Sequence, residues 1–147
     1  MDSQDFTDLS VALTGVSEDQ LPAKLKRRVA DGQEKEIRQI YLDRLQASYA
    51  AGMEALSTAW QAAKAASDPV AELDTRLRQP DAQVLRQTAR QVIKIWYLTI
   101  IDDPNNPKNQ LPGDLGQYQL GIAWNLISAH APAYSFQPHG YWSAKPQ

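Results

Sequence analysis

The sequence predicts an all-α protein, a compact bundle of about five to six helices over residues 1–131 with an extended aromatic and proline-rich tail over 132–147. Three observations carry that prediction. Alanine (20 residues) and glutamine (15) dominate the composition, and both are good helix formers. Apolar residues recur every three or four positions over most of the chain. The last sixteen residues, PAYSFQPHGYWSAKPQ from Pro132 onward, are cut by proline and glycine yet hold four of the twelve aromatics.

The helices follow in order. Phe6, Leu9, Ser10 and Leu13 share one face, Ser3 or Asp5 can cap the start, and Gly15 marks the stop. Leu21, Leu25 and Val29 then predict a second helix, started near Asp19 because Pro22 fits only a first turn, and broken at Asp31-Gly32. The longest stripe, Ile37, Tyr41, Leu45, Tyr49, Met53, Leu56 and Trp60, predicts an amphipathic helix from about Gln33 to Ala66, with Gly52 as a point of weakness. Ser67-Asp68-Pro69 stops it and restarts a short helix through Leu73 and Leu77, which ends before Pro80. Asp81 opens a helix carrying Val84, Leu85, Ala89, Val92, Ile93, Trp96 and Ile100. Its second half, IKIWYLTII, also has strand propensity, but no other segment offers a convincing strand to pair with. It is therefore expected as a central helix, with Trp96 in the core. Residues 102–116 read as a loop from their turn chemistry, and Tyr118 to Ile127 as a last helix.

Charge and composition exclude several functions. The formal net charge is −2, so no global cationic field points to nucleic acid. No apolar run reaches the length of a bilayer span. With no cysteine there is no disulfide, thiolate metal site, catalytic thiol or CxxCH haem site. No glycine-rich phosphate loop, GxSxG or Rossmann fingerprint is present. The chain as written begins without a secretory leader, and twin Arg27-Arg28 is followed by VADGQEKE rather than an apolar segment, so it reads as two arginines on a solvated helix face.

Few residues offer chemistry. His130 and His139 lie nine apart in a proline-rich stretch, which is not the spacing of a helical metal pair. Asp102 and Asp103 open an Asp/Asn-rich stretch with Asn105 and Asn106, where oxygen ligands could gather, but the EF-hand order is missing and the same residues make ordinary turns. Glu34 and Glu36 have no spacing that demands acid–base work. Lys24, Lys26, Arg27 and Arg28 form a basic cluster that most simply solvates a surface. No catalytic, cofactor-binding or metal site is expected in this chain. The tail stands out instead. Tyr134, Phe136, Tyr141, Trp142, Lys145 and Pro146 are the expected interface residues, docking on the chain's own helices or on a partner.

These residues also resemble a known family. Leu9-Ser10 with Leu13-Thr14-Gly15 resembles the "LS…LTG" opening of the small subunit of FAD-dependent sugar and sorbitol dehydrogenase complexes. Trp96-Tyr97-Leu98, then Ile100 and Asp102, resembles that family's "WYLGIVDN"-type central segment. Tyr141-Trp142-Ser143-Ala144-Lys145-Pro146 resembles its closing aromatic–Trp–x–x–Lys–Pro signature. The motifs occur in family order over nearly the whole chain. The resemblance implies an accessory, non-catalytic subunit without a cofactor of its own. It implies as partner a large FAD-containing flavoprotein of the glucose–methanol–choline type, in some complexes with a cytochrome c subunit. Such small subunits support folding of the large one and export it through a twin-arginine leader. This chain shows no leader, so it is expected in the cytoplasm as written and in the periplasm if a leader has been trimmed. Ser135 stands where some relatives carry a cysteine, so no covalent link to the partner is expected. Two other readings compete: a homo-oligomeric helical structural protein, and a stand-alone helical enzyme using the Asp102/Asp103 loop.

Overall fold

A computed structural model describes residues 1–127. The tail, with Tyr134, Phe136, Tyr141, Trp142, Lys145, Pro146, His130 and His139, lies outside the described residues, as do the last residues of the expected 1–131 domain.

The molecule is mostly α-helical but not all-α, because two small antiparallel hairpins interrupt the helices. The elements in order are α1 (Ser3–Thr14), β1 (Lys26–Arg28), β2 (Glu34–Glu36), α2 (Ile37–Lys64), α3 (Pro69–Leu77), α4 (Gln83–Leu98), β3 (Ile101–Asp103), β4 (Asn106–Leu111), α5 (Leu115–Tyr118) and α6 (Ile122–Leu126).

Helix α1 is capped by Asp2, not by the expected Ser3 or Asp5. The Asp2 carboxylate accepts from the amides of Gln4 (2.9 Å) and Asp5 (2.8 Å), satisfying two of the first turn's free donors. Gly15 closes the helix at φ +69°, a left-handed cap where glycine has no Cβ penalty. Phe6 and Leu9 on its inner face are fully buried.

The second helix expected over residues 19–31 does not form. The segment makes turns up to Leu25, and residues 26–28 then pair with 34–36 across the Asp31-Gly32 turn. Opposite charges face each other at the two ends, Lys26 across from Glu36 and Arg28 across from Glu34, which favours pairing in a solvated ribbon even though Arg27 lies across from Lys35 between them. Gly32 supplies the positive φ, and the Asp31 carboxylate accepts from the Gln33 amide at 2.9 Å. The stripe that suggested a helix is only partly buried: Leu21 is inside, whereas Leu25 is 53% exposed. Arg27 and Arg28 thus sit on an exposed strand rather than a helix face.

Helix α2 is the backbone of the fold. It starts four residues later than expected, because 34–36 belong to the hairpin. Its inner stripe from Ile37 through Trp60 is buried almost throughout. The irregularity falls at Tyr49 (φ −132°, ψ 41°), not at Gly52. Gly52 has another job: an added Cβ would lie 2.0 Å from Thr88 Oγ1, so its missing side chain is what lets α2 and α4 approach. Pro69 stands in the first turn of α3, as the sequence predicts, and Asp68 caps the helix, its carboxylate accepting from the amides of Val70 and Ala71.

Helix α4 begins at Gln83 rather than Asp81 and packs against α2 and α1. Its Trp96 is fully buried, stacked on Phe6 (6.0 Å between ring centres) and edge-on to Tyr41 (4.9 Å). The IKIWYLTII run divides at Thr99: it is helix to Leu98 and strand from Ile101. The expected 102–116 loop is therefore largely a hairpin, with Ile101 paired to Leu111 and an irregularity between Asp102 and Asp103. Strand β4 is exposed along its whole length, and an edge strand tolerates Pro107. Of the last expected helix, Tyr118–Ile127, only Ile122–Leu126 forms, as α6; α5 (Leu115–Tyr118) comes before it. They are separated at Gly121, where a Cβ would lie 2.7 Å from the Tyr97 carbonyl oxygen.

Candidate functional site

The structure brings three features into view, two of them flagged in the sequence. The first is Asp102. Its carboxylate accepts from Lys94 Nζ and from Gln91 Nε2 (3.0 Å), and its amide donates to Gln91 Oε1 (2.8 Å). The lysine bond first, then the Gln91 bond, hold the carboxyl below the ordinary aspartate range. Tyr49 Oη, at the kink of α2, donates to the Asp102 carbonyl at 2.7 Å. Asp103 does not join Asp102; its carboxylate accepts from the Asn105 amide at 2.8 Å and shapes the turn. The pair is thus split between fastening the hairpin to α4 and closing it. Among the described residues no group of three acidic or histidine side chains is placed to hold a metal ion.

The second is the basic cluster. Lys24 pairs with Glu18 at 2.9 Å, and the charges of β1 face those of β2. Glu36 is engaged by Arg38 Nε at 2.6 Å, and Glu34 lies across from Arg28, so neither glutamate pairs with the other for proton transfer.

The third was not read from the sequence. An apolar groove of about 380 Å³ opens between α1, α3 and α4. Leu73 and Ala89 form its buried floor, Leu13, Leu77 and Ile93 its half-buried walls, and Val70 its lip, 53% exposed. Arg86 at its edge donates to the carbonyls of Leu77 (3.0 Å) and Gln79 (2.6 Å), satisfying the C-terminus of α3. Arg90, exposed at the mouth, has no partner among the described residues. The sequence carried a faint signal for this surface: Val70, Leu73 and Leu77 form a stripe on a short helix with no partner stripe of its own.

The motif residues have clear structural roles. Leu9 is core, and Ser10 Oγ donates to the Phe6 carbonyl at 2.6 Å. Leu13 faces the groove and Gly15 is the left-handed cap. Thr99 is the one non-glycine residue with positive φ (+60°) among the described residues. Its amide donates to Ile95 O (2.9 Å). Its carbonyl accepts from Gly113 N (3.1 Å) and Arg44 Nη1 (3.0 Å). Among the described residues no helix is long and apolar enough to cross a membrane. Compared with protein-family models, curated proteins and solved structures, the chain matches none of them.

Proposed function

We propose that this chain is a non-catalytic accessory subunit that binds and stabilises the FAD-containing catalytic subunit of a sugar or alcohol dehydrogenase complex. One observation supports it most. The two glycines of the motifs that the chain resembles, in "LTG" and "WYLG", fall at positions 15 and 99, and both positions are left-handed. A glycine-requiring backbone at residue 99 cannot be read from this sequence, which carries threonine there. The motif pattern and the backbone thus agree at a position where composition and periodicity carry no signal.

The physical mechanism needs no energy source. A subunit that binds only the folded flavoprotein stabilises it by mass action. The contact is assigned to Tyr134, Phe136, Tyr141, Trp142, Lys145 and Pro146. Each large aromatic buried there contributes roughly 1.5–3 kcal/mol, and Lys145 at a polar rim less.

The test is a pull-down from native cells with the full chain and with a chain lacking residues 132–147. The full chain should retain a flavin-containing partner of dehydrogenase activity, and the shortened one should lose it. Turnover by the purified chain alone, or equal flavoprotein recovery with both chains, overturns the proposal.

A further inference from the structure

We infer that in the free chain the groove between α1, α3 and α4 is the seat of the chain's own Tyr141–Trp142 pair. The inference goes beyond the accessory reading and does not need it. The groove is a continuation of the core left uncovered: Leu13 and Leu77 pack on core residues from one side and face open space on the other. A floor of Leu73 and Ala89 with an exposed valine lip favours an apolar occupant. Its volume, about 380 Å³, suits two aromatic side chains better than one aliphatic one.

Arg90 adds a second preference. A guanidinium at the mouth, without a partner among the described residues, is placed to lie over an aromatic face. An aliphatic helix from another protein would give it nothing comparable.

The end of the described chain points to the same occupant. Gly121 packs on the Tyr97 carbonyl, and α6 lies against α4. Tyr97 Oη in turn donates to Thr14 O at 3.3 Å, at the α1–α4 seam that continues into the groove's wall beside Leu13 and Ile93. From Ile127 to Trp142 an extended chain reaches up to about 50 Å, more than the width of a domain this size. Tethering raises the local concentration of the tail to the order of millimolar, so in dilute solution it outcompetes a second copy for the same seat.

Because the chain has no cysteine, two introduced ones can be labelled uniquely. Val70→Cys, at the groove lip, and Ser143→Cys, beside the aromatic pair, would carry nitroxide labels on the full chain, with circular dichroism confirming the helical content. Dipolar spectroscopy should give one short, narrow distance distribution, unchanged on dilution with unlabelled protein. Adding Trp142→Ser should broaden and lengthen it. A broad distribution before that substitution overturns the inference. So does a short distance seen only when singly labelled Val70→Cys and Ser143→Cys chains are mixed, because it places a second copy in the groove. Failure here leaves the flavoprotein pull-down unaffected, and the reverse also holds.

Discussion

The helices around Trp96 are held to one another, and the segment from Ile101 to Ile127 is held to α2 and α4, by different forces. In the first region the contact is apolar. Phe6, Tyr41, Leu45, Leu56, Val92 and Trp96 are essentially removed from water, and Gly52 gives up its side chain so that Thr88 can come close. In the second, few large apolar residues are buried, Ile101 and Ile122 chief among them. The work passes to long polar side chains that reach across to backbone atoms. Arg44 donates to the carbonyls of Thr99 (3.0 Å) and Leu111 (2.9 Å) and to Gln117 Oε1 (3.1 Å). Tyr49 holds the Asp102 carbonyl, and Gln91 holds Asp102 at both its amide and its carboxylate. Partial burial of Arg44 disfavours its charged form, a cost offset by those three bonds. A region built by packing resists local opening, whereas one fastened by a few charged bonds is expected to open first.

The largest effect separates the two directly. Trp96→Ala should cost about 3–5 kcal/mol, because it empties the centre of the Phe6–Tyr41 cluster. Urea unfolding should remain a single transition with a lowered midpoint. A cost under about 1 kcal/mol would mean that the surrounding helices collapse into the space, which the close α2–α4 approach argues against.

The same division explains what was legible in the sequence. Periodicity found α1, α2, α3 and α4 and placed Trp96 inside, because apolar packing imprints its spacing on the chain. It missed both hairpins. Residues 26–36 carry a basic stretch, an Asp-Gly turn and a stretch with two glutamates, a signal of pairing between solvated strands rather than of burial. Residues 101–111 have a fully exposed second strand, so no face pattern marks it. Arg44, Tyr49 and Gln91 were invisible as anchors, because a polar residue on a helix reads as solvated until its distant acceptor is known. The groove was missed for a related reason: its walls come from three helices, and no single stripe announces it.

The middle-sized effect probes that polar fastening. Arg44→Ala removes three hydrogen bonds, although the Thr99 carbonyl keeps another donor, Gly113 N, and should cost about 2 kcal/mol. The distribution of the loss matters more than its size. Hydrogen exchange should accelerate across residues 99–127 and stay near wild type in α2 and α4. Arg44→Lys should not restore protection, since one ammonium cannot reproduce the planar fork that serves Thr99 and Leu111 together. Uniform acceleration over the whole chain would instead make Arg44 a core residue and erase the distinction between the regions.

The smallest effect lies at the joint between the two regions and has the opposite sign. Thr99 turns the chain from α4 into β3 at φ +60°, with its hydroxyl buried and without a partner among the described residues. A Cβ in the left-handed region costs roughly 1–2 kcal/mol, and a β-branched residue is the worst placed of all to adopt it. Thr99→Gly removes both the steric cost and the orphaned hydroxyl, and it gives back roughly 0.5–1 kcal/mol through the greater freedom of the unfolded chain. The net expectation is a gain of about 1 kcal/mol, read as a higher midpoint in thermal or urea unfolding. Thr99→Ala separates the causes, because it discards the hydroxyl but keeps the Cβ. Alanine should therefore fall short of glycine. If alanine stabilises as much as glycine does, the burden at this joint is the buried hydroxyl, not the backbone. The correspondence between residue 99 and the motif's glycine then loses its physical basis, and with it the strongest support for the accessory-subunit reading.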